Sequence, residues 1–407
     1  MPRIRDLGIY EGTLPAGARN AISDVAGVTV GHATLVAGEG AAGPNWQPGH
    51  GPYRTGVTLI LPHGGNLYTE PVVAAVHTIN GFGKPIGFEQ VRELGLMETP
   101  IALTGTLNAP RVADALISLA IEQNPHIGVG FAASGWRGYA SVNPVVGETN
   151  DGYLSDLQGR PIGLAEVRAA LAAASADVAE GAVGAGTGTS CYSWKGGIGT
   201  ASRVLEPGPS LPGGYTVGAL VQTNMGRAEE LTIGGVPVGR WLRPPEEEER
   251  NAERRGEKTQ RDAEEETTVS SSASLPSSLR GSPRPSSGSI MIVLATDAPL
   301  DSRGLGRLAA RAAFGLARTG TPGHGGSGDF VIAFSVPRPL RSAADLRGLR
   351  ATLHEQPQMD LFALAVVECV EEAIYNSLLM AHTTTGRHGH TRYALPADEV
   401  ARLVNRG

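Results

Sequence analysis

The junction between Gly288 and Ser289 constrains this chain more than any other feature. From Pro244 to Gly288 the sequence reads PPEEEERNAERRGEKTQRDAEEETTVSSSASLPSSLRGSPRPSSG, which lacks aromatics and nearly lacks aliphatics. Such a stretch has almost nothing to bury and cannot offset its own ordering entropy. It reads as a disordered linker whose Glu/Arg-rich first part can fray in and out of a helix, with the run Glu246 to Glu249 solvated. Ser289 is then followed at once by Ile290, Met291, Ile292, Val293 and Leu294. That unbroken apolar run is the profile of a strand covered on both faces. Any fold for this chain must place a central strand whose first residue is also the end of a tether.

On the N-terminal side of the linker, strand and helix signals alternate. Gly56 to Pro62 (GVTLILP), Ile101 to Gly105 (IALTG) and Tyr215 to Asn224 (YTVGALVQTN) read as strands, and Val112 to Gln123 reads as a helix. A second helix is predicted from near Gly163, with Leu164, Val167, Ala170, Leu171 and Ala174 at helical spacing, to a stop at Gly181. Beyond the Ile290 strand, Leu305, Leu308, Ala309, Ala312 and Leu316 mark one face of a helix. Phe330 to Val336 (FVIAFSV) returns as a strand, and a last long helix runs from about Asp360 to His382. The pattern predicts large sheets covered by helices, of the α/β or α+β class.

Bulk properties exclude several functions. The 407 residues can bury a sizeable core, and 56 glycines imply close packing and many tight turns. The formal charge is -6, but about ten of the 40 acidic residues fall between Glu246 and Glu266. The remainder is near neutral, without the basic face that nucleic acid or an anionic membrane requires. Two cysteines, Cys191 and Cys369, are too few for a disulfide framework or a cysteine metal site and suit a reducing compartment. The N-terminal MPRIRDLGIYEG has no apolar h-region, and no stretch approaches the roughly 18 apolar residues of a membrane span, so the expectation is a cytoplasmic protein.

Three motifs invite a cofactor or a metal and each has a plainer reading. Gly304-Leu-Gly-Arg-Leu-Ala309 has the GxGxxA form, but Asp297 to Arg303 separate it from the preceding strand. The first glycine of a dinucleotide turn follows its strand directly, so this motif reads as a helix start capped by Asp301 or Ser302. The run Gly184 to Val204 (GAGTGTSCYSWKGGIGTASRV) lacks Gly-Lys-Ser/Thr and is not a P-loop; its glycines read as close backbone packing. His388-Gly-His390 has no companion Cys or acidic cluster and reads as an exposed tail.

Gly288-Ser289 carries chemistry of its own. Cutting that bond would make Ser289 the first residue of a central strand, with a hydroxyl nucleophile and an α-amine of unperturbed pKa about 8 as built-in base. Glycine suits the acyl side, because it adopts the strained backbone that an N-to-O acyl shift requires.

Seven blocks in order resemble the DmpA/BapA family of self-processing aminopeptidases, over nearly the whole chain except the linker: NAISDVAGVTVGHATL, RTGVTLILPHGGNLY, VVGETNDGYLSDL, GTGTSCYSWKGGIGTASRV, VGALVQTNMG, GSIMIVLATDAPL and GGSGDFVIAFS. The resemblance implies an α+β fold, a four-layer αββα sandwich of the DmpA/ornithine acetyltransferase-like type. It implies one composite domain cut into residues 1–288, including the linker 244–288, and residues 289–407. The serine exposed by cleavage falls on Ser289 as nucleophile, and the family's serine and acidic partner fall on Ser327 and Asp329, where many relatives have Glu. The oxyanion amide matches Asn224, the acid that holds the substrate ammonium matches Glu148, and Asn150 stands where some relatives have an aromatic.

The function expected on this basis is an N-terminal-nucleophile hydrolase that removes N-terminal residues, β- or D-amino acids included, from small peptides, amides or esters. It needs no metal or organic cofactor. The two fragments stay associated, and the family implies a homo-oligomer, a tetramer of two-chain units. Two rivals differ in kind: an ornithine acetyltransferase-like acyl transferase, against which Ser289 counts because that group exposes a threonine, and an uncleaved scaffold or binding protein.

Overall fold

The computed structural model describes residues 1–39, 46–129, 141–208, 211, 213–247, 288–337 and 350–406. Most of the linker, residues 248–287, lies outside that set.

Two sheets carry the fold. The smaller contains β1 (Thr29–Ala37), β2 (Tyr53–Leu61), β5 (Ile101–Gly105) and β6 (Val145–Thr149), in that spatial order. The larger contains β3 (Val72–Gly81), β4 (Leu96–Met97), β9 (Ile198–Leu205), β10 (Tyr215–Asn224), β11 (Ser289–Thr296) and β12 (Gly328–Ser335), in the order β4-β3-β12-β11-β10-β9. Two short strands, β7 (Ser190–Cys191) and β8 (Trp194–Lys195), form a separate two-stranded ribbon. In the larger sheet β11 runs antiparallel to β10 and parallel to β12. The strand after the tether thus lies between one strand from before it and one from after it.

Alternation along β11 shows why the strand is apolar throughout. Ile290, Ile292 and Leu294 pack into the core beneath the helices α4 (Ser302–Arg318) and α5 (Gln356–Leu379), with Leu308, Leu316, Phe362 and Val370. Met291, Val293 and Ala295 point the other way, into the layer between the sheets, against Ile101, Leu103, Val145 and Ile332. Full burial of each large side chain contributes roughly 2 kcal/mol before entropy is counted. On the outer face of the smaller sheet, Val57, Leu59, Ala102 and Val146 pack under α2 (Ala109–Gln123) and α3 (Leu164–Ala172), through Val112, Leu116, Val167 and Ala170. The order of layers is helix, sheet, sheet, helix, an α+β sandwich with four layers.

A buried ionic network joins the two sides of the junction. Arg203 of β9 donates from Nε to Glu368 at 2.7 Å and meets Glu372 at 2.7 Å, both on α5, and Arg5 reaches Glu372 at 2.7 Å. Close packing of the glycine run adds to this. A Cβ on Gly199 of β9 would lie 1.9 Å from the Ala373 carbonyl oxygen, so α5 rests on bare backbone there.

Four sequence expectations need correction. Strands β5 and β10 have the predicted bounds, but α3 ends at Ala172 rather than near Gly181. Past Ala172 the side chains are mostly methyls with little to bury, and Ser175 instead exchanges backbone hydrogen bonds with Val30 of β1, at 2.9 and 3.0 Å. Helix α5 starts four residues early, at Gln356, with Pro357 in its first turn where a missing N–H is harmless. His388-Gly-His390 is exposed at His388 and Gly389, as expected, but it is no tail: His388 packs edge-on against Trp46 and His390 stacks on Tyr153, with centroids 4.7 and 4.4 Å apart. Glu246 is not a solvated linker residue, for it accepts from Tyr153 Oη at 2.8 Å, from the Thr391 N–H at 3.1 Å and from Arg392 at 3.0 Å. The GxGxxA stretch opens α4, and Asp301 caps it by accepting from the Gly304 N–H at 2.8 Å.

Candidate active site

Strand register builds the site around Ser289. Ser289 is the first residue of β11, directly opposite Asn224, the last residue of β10, and beside Gly328 at the start of β12. Opposed residues of an antiparallel pair project to the same face. Ser289 shares the face of Met291 and Val293, and Asn224 that of Leu220, so both open into the layer between the sheets at its end. Strand β6 of the smaller sheet lies across that opening. A Cβ on Gly147 would meet Met291 Cε at 2.4 Å, so the end of the Met291 side chain from β11 rests on bare backbone of β6. Glu148 follows next in β6, and Asn150 lies just past the strand's end.

Each polar group has defined partners. Asn224 Nδ2 donates to the Asn150 carbonyl at 2.9 Å, and its Oδ1 accepts from the Ser190 N–H at 2.9 Å. It is the main chain of Asn150 that meets Asn224; the Asn150 side chain turns back to accept from the Gly152 N–H at 3.0 Å. The Ser327 hydroxyl donates to Asp329 Oδ1 at 2.5 Å. Burial raises the Asp329 carboxyl above its ordinary value, opposed by the Ser327 hydroxyl, the Ile290 N–H and nearby His324. The shorter Asp side chain thus still reaches the serine two residues before it. Asn80, across from Asp329 in β3, donates to the carbonyls of Ser327 and His324, the latter at 2.8 Å, and pins that turn. Glu148 is buried; its Oε1 accepts from the Lys84 N–H at 3.0 Å and lies 3.6 Å from Lys84 Nζ.

Gly288 is tightly enclosed by main chain. A Cβ there would sit 1.8 Å from the Asn224 carbonyl oxygen and 2.1 Å from Met225 Cα. The residue preceding the candidate nucleophile is wedged against the end of β10, where only a hydrogen fits.

The sequence profile of peptidase family S58 matches residues 20–392. The chain belongs to this family. It is 38% identical over 407 residues to the beta-peptidyl aminopeptidase BapA of Sphingosinicella xenopeptidilytica, covering 99% of this chain and 91% of the relative. Among solved structures it superposes on a Burkholderia sp. beta-aminopeptidase with a TM-score of 0.77 and 36% identity, covering 100% of this chain and 99% of the other. It also superposes on the L-aminopeptidase D-Ala-esterase/amidase of Ochrobactrum anthropi with a TM-score of 0.74 and 33% identity, at the same coverage. That protein is described as a prototype for the serine aminopeptidases and a new variant of the Ntn hydrolase fold. The chain is accordingly a serine hydrolase of the aminopeptidase type on an Ntn hydrolase fold.

Three neighbours of the site lie inside the blocks quoted from sequence but are not among the residues singled out there. Gln222, two residues before Asn224, donates across the sheets to Thr149 Oγ1 and the Ala185 carbonyl, both at 2.9 Å. Lys195 is fully buried with Nζ donating to the carbonyls of Gly186, Thr189 and Gly196 at 2.9, 3.0 and 2.6 Å, and burial pulls it down to about 7. Asp151 is also fully buried and pushed up to about 6, chiefly by desolvation. A signal for this pair existed: an acid beside Glu148 and a lysine within a glycine run are expensive to bury without purpose. Among the described residues no three His, Cys, Asp or Glu side chains gather as a metal site, and no helix is long and apolar enough to cross a membrane. Both cysteines are buried free thiols, pushed up to about 12 by desolvation.

Proposed function

We propose that the chain cuts itself between Gly288 and Ser289, and that the freed Ser289 is the nucleophile of the aminopeptidase. The observation carrying this reading is the register: Ser289 begins a buried strand with Asn224 opposite and the Ser327–Asp329 pair beside it on the parallel neighbour. For self-cleavage, Ser289 Oγ attacks the Gly288 carbonyl carbon. The C–N bond breaks as the ester forms, the Ser289 nitrogen takes the proton, and water hydrolyses the ester to leave a Gly288 carboxylate.

In turnover the same hydroxyl attacks the substrate's first carbonyl while the Ser289 α-amine accepts its proton. Asn224 has one Nδ2 hydrogen left after its bond to Asn150, and that hydrogen is available to the developing oxyanion. Because Ser327 donates its own proton to Asp329, its lone pairs are free to accept from the Ser289 amine and hold it in place. Collapse of the intermediate returns the proton to the leaving amine or alcohol, and water releases the acyl group.

Glu148 takes the substrate's ammonium. A cavity of about 440 Å³ lined by Gly83, Phe88 and Phe330 adjoins Glu148 through Gly83 and receives the first residue's side chain. Small peptides, amides and esters are the substrates, with β- and D-residues included because relatives are named for β-peptides and a D-Ala ester. Asn150, which stands where some relatives have an aromatic, contributes its carbonyl by holding Asn224 Nδ2. Association of the two fragments, a tetramer of two-chain units and a cytoplasmic location complete the proposal.

The test is a denaturing gel of fresh protein with N-terminal sequencing of the smaller band. Ser-Ile-Met-Ile is expected, and Ser289→Ala should give a single, full-length band without activity on aminoacyl p-nitroanilides. A different new terminus, or activity in the uncleaved variant, would remove Ser289 as nucleophile.

A further inference from the structure

An amide can serve an oxyanion only if its nitrogen, not its oxygen, faces the reaction. Rotation of Asn224 by 180° about its last side-chain bond would present the wrong atom. Two contacts oppose that rotation: the Asn150 carbonyl needs a donor, and the Ser190 N–H needs an acceptor. The first comes from the loop after β6, while the second comes from β7, whose two-residue ribbon with β8 is tied down by the Tyr192 N–H to the Met225 carbonyl at 2.7 Å, by the Lys195 N–H to the Tyr393 carbonyl at 2.8 Å and by Lys195 Nζ, leaving the Ser190 hydroxyl to be held from elsewhere.

Ser190 is held from outside by the second fragment. Its Oγ accepts from Arg392 Nε at 2.9 Å. The Arg392 guanidinium lies 3.6 Å over the Tyr153 ring and reaches Glu246 Oε2 through Nη1 at 3.0 Å. Glu246 is gripped further by Tyr153 Oη at 2.8 Å and the Thr391 N–H at 3.1 Å. The Arg392 side chain is 12% exposed and that of Glu246 22%, so water screens this pair far less than a surface ion pair. Tyr153 belongs to the loop that also carries the Asn150 carbonyl, so one cluster braces both contacts that orient Asn224.

We propose that Arg392, clamped by Glu246 and Tyr153, is a positioning residue that sets the orientation of Asn224 through Ser190. The inference rests on the reading of Asn224 as oxyanion donor. It gives the start of the linker a role: Glu246 is the anchor from which the tether departs, and Gly288, where the tether ends, lies against the same Asn224 backbone.

The experiment is a pair of double-mutant cycles at the level of kcat, measured well below the melting temperature. Arg392→Lys keeps the charge but cannot donate to Ser190 and Glu246 together while lying flat on Tyr153. It should lower kcat about tenfold with KM nearly unchanged, since partial misorientation costs less than the 10²-fold or more of losing the donor. Glu246→Gln, which leaves Arg392 in place, should show a smaller loss in the same direction. In an Asn224→Ala background neither substitution should lower kcat further, because their route to the oxyanion is already gone. Losses that persist in that background, or an unchanged kcat in both single variants, would overturn the positioning role. An Asn224→Ala protein with normal kcat would instead remove Asn224 as the donor, and the inference with it.

Discussion

Replacing Gly288 by alanine tests the self-cleavage reading at its most confined point. The added methyl would stand 1.8 Å from the Asn224 carbonyl oxygen, whereas ordinary contact begins near 3.4 Å, so about 1.6 Å of space must open. Both obstacles are main-chain atoms at the end of β10, Asn224 O and Met225 Cα, and no side-chain rotation relieves either. In the proposed self-cleavage the Gly288 carbonyl carbon is the electrophile, and opening that space shifts it relative to Ser289 Oγ. A displacement of about 1 Å from attack geometry can cost on the order of 10²-fold in rate. Freshly purified Gly288→Ala should therefore remain a single chain at least about a hundredfold longer than the parent, followed by timed gels and intact mass. Once cut, residue 288 is no longer bonded to the nucleophile. Turnover per cleaved molecule should then match wild type. Cleavage at the parental rate in a protein with a normal melt would refute the steric argument, and normal cleavage with lost turnover would place Gly288 in the catalytic site.

Other perturbations separate the remaining roles. Glu148→Gln should reduce kcat/KM for free-amine substrates roughly ten- to a hundredfold and spare N-acylated or simple ester analogues, because only an ammonium draws a charge-assisted bond; equal losses on both would make Glu148 structural. Arg203→Ala leaves the buried carboxylates of Glu368 and Glu372 without their shared cation, and urea melts should show a loss of about 3–5 kcal/mol. Burial raises Asp151 from 3.8 to about 6, so its folded form binds the proton more tightly than the unfolded chain, and the stability it contributes is full below pH 3.8 and lost as pH rises through about 6. The melting temperature of Asp151→Asn should accordingly gain on the parent between those two values; a difference flat with pH would show that the carboxyl does not titrate there. Deleting residues 248–282 should leave self-cleavage and kcat/KM near wild type, since loop length costs only about 0.6 kcal/mol per doubling. A folded deletion protein that neither cleaves nor turns over substrate would give those residues a direct role.

The parts of this molecule that are legible in its sequence are those whose cause is local. Strands β5, β10 and β11 announce themselves because both faces are buried, which makes nearly every residue apolar or small, Gln222 and Asn224 apart, and because abrupt changes of composition mark their ends. Helix α3 was over-extended for the complementary reason. Ala172 to Ala174 suit a helix by propensity, but the decision belongs to Val30, roughly 140 residues earlier, whose edge offers Ser175 two backbone hydrogen bonds. Residue types in the candidate site follow the same division. Ser289, Ser327 and Asp329 sit in short motifs at strand starts, where neighbours in sequence are neighbours in space. The groups that orient Asn224 come from Asn150, Ser190, Arg392 and Glu246, with the Arg392–Ser190 contact spanning 202 residues. Composition assigns Glu246 to the tether, as one of four consecutive glutamates. Only the folded chain brings Arg392 and the Tyr153 hydroxyl to Glu246. Under the proposed cut at Ser289 the nucleophile needs partners from both sides of the Gly288–Ser289 junction, so its supporting contacts are long-range by construction and escape any reading confined to a window of sequence.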